Sequence, residues 1–274
     1  MSTNLDISLE EFRARISEAL AEGGTQSLVR LTDEELAVLD PEETLVPKPH
    51  LEAMTPEQRE WSLATALRSL VAREAVEIHN TEELNKALHG GPEVRIDMHV
   101  RMDIDLALTL RRTADRMLAI KQHTAVGTAY ACVHLHDTDL MLVERITAGG
   151  MHLFTLANNT DDVVNLVQPL LDPVGVADRD GDIHRLDPSA LEPGKVGPLT
   201  HVIDNARVVG ELVLLSDPPG PMMTTYATDR AVWAVFVEQP HAPDGITARR
   251  VSTATLSRQI VKMLTAGTTE VRDG

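Results

Sequence analysis

Three apolar runs joined by short turns, all between Tyr130 and Leu156, constrain this protein more than any other part of it. Tyr-Ala-Cys-Val-His-Leu-His is followed by a polar break, Leu-Met-Leu-Val-Glu, a Gly149-Gly150 turn and Met-His-Leu-Phe-Thr-Leu. Short runs of this kind bounded by turn residues read as successive β-strands. Alternation puts Ala131, Val133 and Leu135 on one side of the first strand and Tyr130, Cys132, His134 and His136 on the other. Asn158-Asn-Thr160 then caps a helix carrying Val163, Val164, Leu166, Val167 and Leu170, which Asp172-Pro173 ends.

A similar layout returns near the C-terminus. Leu142-Val143-Glu144, a glycine turn, a strand, a cap and an apolar-striped helix can be laid over Phe236-Val237-Glu238, a turn with Gly245, the strand Ile246–Val251, a Ser252 or Thr253 cap and a helix with Leu256, Ile260, Val261 and Leu264. Ala231–Glu238 is the most strand-like run of this half, and Arg207–Leu215 is a further strand candidate. The expected fold class is α+β, with two related antiparallel-sheet-plus-helix units about a pseudo-twofold. The rival reading is chance similarity of two common layouts.

Upstream, start signals recur. Ser8-Leu-Glu-Glu11 is a capping box opening a helix with Phe12, Ile16 and Leu20 on one face, stopped by Gly23-Gly24. Thr32-Asp-Glu-Glu35 repeats the signal for a short helix through Leu39. Thr55-Pro56 starts a longer helix to Arg73 with Leu63, Leu67, Leu70 and Val71 on one stripe. A strand at 75–78, a helix from Thr81 to Gly90-Gly91 and alternation over 94–101 complete a helical, winged-helix-like segment. Arg59 and Arg68 share their helix with Glu57 and Glu60, too mixed for a groove-reading face, so a small α+β scaffold without a DNA role is preferred. In 103–122, Ile104, Leu106, Leu108 and Leu110 alternate with Asp103, Asp105, Ala107 and Thr109, which favours strands over a helix. The expected division is an N-terminal segment over 1–92, a first sheet-helix unit over 93–172, a linker or long loop rich in Asp, Pro and Gly over 173–198, and a second unit over 199–268.

Composition narrows the function classes. A net charge of −17, with eleven acidic and four basic residues in the first fifty, repels phosphates over most of the surface, so neither nucleic acid nor an anionic membrane is an expected partner. Two Trp, two Tyr and three Phe leave a core of Leu, Val, Ala, Met and Ile and no large stacking platforms. One cysteine, Cys132, excludes an intramolecular disulfide and a multi-cysteine zinc site. The first residues lack a secretory pattern and no apolar run is long enough for a membrane span, so a cytoplasmic location is expected.

Few motifs carry chemistry. His134 and His136, two apart on one strand face, have the spacing to share a metal, with Cys132, Asp137 or His152 completing the shell; eleven histidines also make close pairs common by accident. Asp178-Arg-Asp-Gly-Asp182 resembles half a calcium loop in spacing, but aligning Gly181 with the invariant glycine puts Val176 at the first ligand position, so an acidic turn is expected. Gly194-Lys195 lacks a phosphate-loop context. The Arg111-Arg112 and Arg249-Arg250 pairs read as solvated faces. No enzyme signature and no cofactor motif stand out.

The order of parts, with Leu70-Val-Ala-Arg-Glu74 ending a helical segment, Leu108-Thr-Leu-Arg-Arg112, the strands from Tyr130 to Phe154 and a second strand-and-helix unit, resembles the actinobacterial EspG-type chaperones of ESX (type VII) secretion. The resemblance is one of layout over most of the sequence. It implies two related halves, no cofactor, no reaction, and a surface that grips the helical tip of a PE–PPE pair. Tyr130, His134 and His136 on the outward strand face, and Met222 and Met223 in the loop around Pro218–Met223, are the candidate partner contacts, the methionines having burial in the core as their alternative. The resulting expectation is a non-enzymatic cytosolic chaperone or adaptor. A winged-helix regulator or ligand sensor and a metal-dependent enzyme using the His134/His136 strand are the alternatives.

Overall fold

The computed structural model describes Leu20 and residues 24–42, 45–89, 92, 94, 96–137, 140–186, 199–240 and 246–267. The helix expected from Ser8, the Gly194-Lys195 stretch and the turn at Gly245 lie outside these residues, apart from Leu20.

Strand β1 (Thr25–Thr32) leads directly into helix α1 (Asp33–Leu39), because Thr32 ends the strand and caps the helix. The Thr32 hydroxyl accepts from the Glu35 amide and the Glu35 carboxylate accepts from the Thr32 amide, both at 3.2 Å. After the short α2 (Pro49–Glu52), a second capping box, Thr55 with Gln58, opens α3 (Pro56–Ala72). Glu35 also accepts from Ser69 and Arg73 of α3, at 3.3 and 2.9 Å, which holds the two helices together. Along α3 Leu70 is buried, whereas Val71, expected on the same stripe, is exposed. Strands β2 (Val76–Ile78) and β3 (Met98–Val100) pair as a separate two-stranded sheet around α4 (Thr81–Leu88).

The stretch read as strands from Asp103 is a helix, α5 (Met102–Thr113). Ile104, Ala107, Leu108 and Arg111 are all buried, which is the i, i+3, i+4, i+7 pattern of one helix face. An arginine fills the fourth apolar slot, so counting apolar residues alone gives alternation instead. The acidic first turn and the Arg111-Arg112 last turn match the helix dipole.

A four-stranded meander follows: β4 (Arg116–Thr124), β5 (Gly127–Asp137), β6 (Leu140–Ile146) and β7 (Met151–Ala157), then α6 (Thr160–Leu171) capped by Asn159. Residues 173–186, expected as linker, are pinned. Asp172 accepts from the amides of Gly175, Val176 and Ala177, each at 2.9 Å, and β8 (His184–Arg185) pairs with the strand before the last helix. After α7 (Thr200–Asp204) comes a second meander, β9 (Val208–Leu215), β10 (Met222–Ala227), β11 (Val232–Val237) and β12 (Thr247–Val251), then α8 (Thr253–Thr265) capped by Ser252.

The two meanders join through their first strands, β4 antiparallel to β9, into one sheet ordered β1-β7-β6-β5-β4-β9-β10-β11-β12-β8. Each meander is thus followed by a closing helix, α6 after the first and α8 after the second. Helices α6 and α8 lie together on one face over a core including Leu118, Val133, Val143, Leu212, Leu214, Val232 and Ile260. The Gln122 amide donates to the Leu170 carbonyl at 2.7 Å and the Ser257 hydroxyl to Gln168 at 2.6 Å, tying the helices to the sheet and to each other. On the opposite face, Leu142, Phe154 and Leu156 pack against Leu36, Leu39, Ile104 and Leu108 of an N-terminal helical layer. The architecture is α+β with a large antiparallel sheet.

Layer and sheet meet at the β6–β7 turn, where the Asp33 amide donates to the Gly150 carbonyl at 2.9 Å. Gly150 has φ +72°, and a Cβ there would lie 2.7 Å from the Cβ of His50 and 2.9 Å from Asp33. Gly175, at φ +75°, has nothing within 4 Å of such a Cβ. Gly175→Ala is expected to cost only the left-handed backbone penalty of about 1–2 kcal/mol. Gly150→Ala should cost clearly more, because it also pries α1 and α2 off the sheet. Denaturant unfolding of both variants checks this; equal losses would mean the layer is not seated against the turn.

Candidate functional site

The histidine strand, the strongest chemical candidate in the sequence, runs under the helical layer. His134 and Glu144 are on the layer side of β5 and β6, His152 on that of β7, with exposures of 2%, 0% and 0%. The layer brings Asp33 and Asp40 from the two ends of α1 and Arg111 and Arg112 from the end of α5. His152 bridges two carboxylates, Nε2 to Asp33 at 2.7 Å and Nδ1 to Glu144 at 2.6 Å. Glu144 also accepts from His134 Nε2 and from Arg111 Nε, both at 3.0 Å. Arg111 Nη1 reaches Asp40 at 2.7 Å, and Arg112 Nε donates to the other Asp40 oxygen at 3.1 Å. The second Asp33 oxygen accepts from the amides of His50 and Leu51, at 2.6 and 3.3 Å.

Among the described residues these side chains form one connected ionic network of carboxylates and facing cations. Both ring nitrogens of His152 face carboxylates, so both must donate, and only the imidazolium does that. Burial opposes the charge on His152, but the hydrogen bonds to Asp33 and Glu144 and the charges behind them outweigh it and raise its pKa. Three carboxylates thus meet two guanidiniums and one imidazolium. Burial likewise opposes ionisation of Glu144, yet the bonds from His134 and His152 and the charge of Arg111 carry its pKa well below the usual carboxylate range. Beside it, burial first and the Glu144 charge second push the Cys132 thiol far up, which leaves it unreactive.

Chemically, this arrangement holds a layer onto a sheet. His134 and His136 do not converge on a common point: His134 bonds Glu144, and His136, half-buried with its pKa lowered by burial, places Nε2 2.8 Å from the Leu110 carbonyl. Among the described residues no three His, Cys, Asp or Glu side chains are placed to hold a metal ion. The Asp178–Asp182 turn is likewise occupied. Asp178 pairs with Arg250, and Asp180 accepts from the Ser252 amide and the Thr255 hydroxyl, both at 2.8 Å, at the start of α8. Arg111, expected on a solvated face, is the buried centre of the network because α5 is a helix.

A second feature lies on the same face of the sheet. Cross-strand register continues the row Phe154–Glu144–Cys132 through Ala119 and Val213 to Met222 and Val237. Among the described residues the layer does not extend past β4. Strands β9 and β10 alternate a buried residue facing α6 and α8 with a partly exposed one facing outward. The outward set is largely apolar: Val209, Val213, Met222, Tyr226, Trp233, Val235 and Val237 around a central cross-strand pair, Lys121 and Glu211. Tyr130 stands next to Lys121 at the border of this area. Of the candidate partner contacts, Tyr130 and Met222 therefore belong to the open face. His134 is covered by the layer, and Met223, 1% exposed, is in the core because β10 takes in the last two residues of the expected loop and alternation turns Met223 inward. His136 is half-buried at the edge of the layer.

The sequence matches no protein-family model and no curated protein. Among the described residues no helix is long and apolar enough to cross a membrane.

The ionic network sets a stability profile. His152, its pKa raised on folding, contributes stability that is complete below its ordinary 6.5 and lost as pH rises through the folded value. Glu144, its pKa depressed, contributes stability that is complete above its ordinary 4.5 and lost as acid approaches the folded value. His152→Phe, which leaves two buried carboxylates short of a donor, is expected to cost about 3–5 kcal/mol. It should also remove the alkaline decline that the wild type shows above 6.5. Urea midpoints of both proteins across a pH series decide it; parallel profiles would mean His152 is not the bridging cation.

Proposed function

We propose that the protein is a non-enzymatic, cytosolic protein-binding chaperone or adaptor that docks helical clients on the open half of its sheet, as the resemblance to EspG-type secretion chaperones implies. The observation that carries this reading is the unequal cover of one sheet face. On β5–β7 that face is filled by the protein's own helices, α1 and α5, through Leu36, Leu39, Ile104 and Leu108. On β9–β11 the corresponding surface carries aliphatic and aromatic side chains with no described helix over them. Extended apolar area of this kind marks interaction surfaces, and the filled half shows the occupant that such a surface accepts in this very fold. The two halves are read as pseudo-twofold copies, of which one has kept an internal helical cover and the other takes its cover from a partner. No cofactor, nucleic acid or membrane enters this role.

The test is co-expression with a PE–PPE pair, followed by capture on the tagged full-length protein. Wild type is expected to retain the pair. Val213→Asp with Val235→Asp should lose it, with a stability change within about 1 kcal/mol, since both side chains are already partly in water. Trp233, one of two tryptophans, should shift its emission to the blue when the pair binds. No complex with wild type, or an undiminished one with the double variant, overturns the reading.

A further inference from the structure

At the far end of the second meander, away from the ionic network, α8 and the ends of β10–β12 border an open pocket of about 180 Å³. Its walls are mainly apolar, Met222, Phe236 and Met263 among them, and its polar groups include Arg249 and an ion pair of Lys262 with Glu238. We propose that this cavity binds a small apolar carboxylate, with the Arg249 guanidinium taking the carboxylate and the methionine and phenylalanine side chains taking the apolar body.

The case rests on Arg249. In register it pairs with Ala234, on the side of the sheet that faces α8. The protein holds 42 acidic residues against 25 basic ones, and two neighbouring cations at this end are engaged. Arg250 pairs with Asp178, and Lys262 with Glu238 at 2.6 Å. Arg249 forms no hydrogen bond or ion pair with any described residue. Asp180 lies near enough to feel its charge, but spends both oxygens on Ser252 and Thr255. A guanidinium has five N–H donors in a planar fork that fits a carboxylate in two parallel bonds. Half-buried beside apolar walls, that pairing is stronger than it would be in open water. The size of the cavity sets the ligand class. At about 30 Å³ per water the space equals roughly six water molecules, room for a short branched or aromatic acid or for one apolar residue at a peptide's C-terminus.

Methyl NMR of the full-length protein labelled at methionine tests this directly, since Met222 and Met263 line the cavity. The probes are 4-methylpentanoate, its neutral amide, and the tripeptide Ala-Ala-Leu with a free or an amidated C-terminus. The free acids are expected to shift the Met222 and Met263 signals saturably, and both amides to bind at least about tenfold more weakly. Arg249→Gln should bring the acids down to the amide level while leaving the melting temperature unchanged. Tighter binding of the peptide acid assigns the site to a peptide terminus, and tighter binding of 4-methylpentanoate to a free acid. Equal binding of acid and amide, undiminished binding by Arg249→Gln, or no shift through the millimolar range overturns the proposal.

Discussion

The imidazolium of His152, held between Asp33 and Glu144 without solvent exposure, is the contact on which the rest of the architecture depends. Removing a single charge from water costs several kcal/mol even after relaxation, and here Asp33, Asp40 and Glu144 are all at 0% exposure. They are tolerable only while Arg111, Arg112 and His152 stand opposite them. Sliding α1 along the sheet by one turn would strand carboxylates in an apolar interior. An apolar seam of equal area would bind the layer at least as strongly but would permit several registers. We read the ionic network as the device that selects one register, the role for which buried polar groups are best attested.

That register decides what is covered. Among the described residues the layer reaches over β7, β6 and β5 as far as a shallow depression beside the β4–β9 junction, lined by Val46, Met117, His134 and Leu215. Past this line the same face has no described helix of its own. The two meanders have the same connectivity and both close with a helix on the opposite face, so the difference between the halves lies in the insertion between β1 and β4. Residues 33–113 fill that interval in the first half, whereas one short described helix, α7, stands in the corresponding place in the second.

Local signals were the legible ones. Thr32 with Glu35, Thr55 with Gln58, and the caps at Asn159 and Ser252 act within four residues, and each helix starts where its cap lies. The strands from Tyr130 to Ala157 were readable because their apolar content exceeds what any helix face there could use. Besides the two-residue β8 inside the stretch expected as linker, two strands escape a sequence reading for opposite reasons. β1 begins Thr-Gln-Ser and breaks register at Ser27/Val29, which blurs the alternation, and β10 reads Met-Met-Thr-Thr-Tyr-Ala directly after a run of prolines that suggests a loop. The side on which His134 lies followed from alternation, but its burial did not. Its cover comes from residues far upstream, and no local pattern reports that. Arg111 shows the same limit: a buried arginine is indistinguishable from a surface one until its carboxylates are placed around it.

The row that crosses the sheet on the layer's face changes chemistry at the same line. Under the layer it holds Glu144 and Cys132; beyond β4 it holds Val213, Met222 and Val237. Had the open half carried unpaired carboxylates like those of the covered half, any partner would have needed arginines at matching positions, and specificity would have been electrostatic. Instead the central charges of the open face, Lys121 and Glu211, stand opposite each other across adjacent strands, where such a pair supports itself. A helix resting there meets aliphatic and aromatic side chains and need bring no particular charge. On the proposed reading, selection of such a helix falls to shape and to the spacing of its apolar residues.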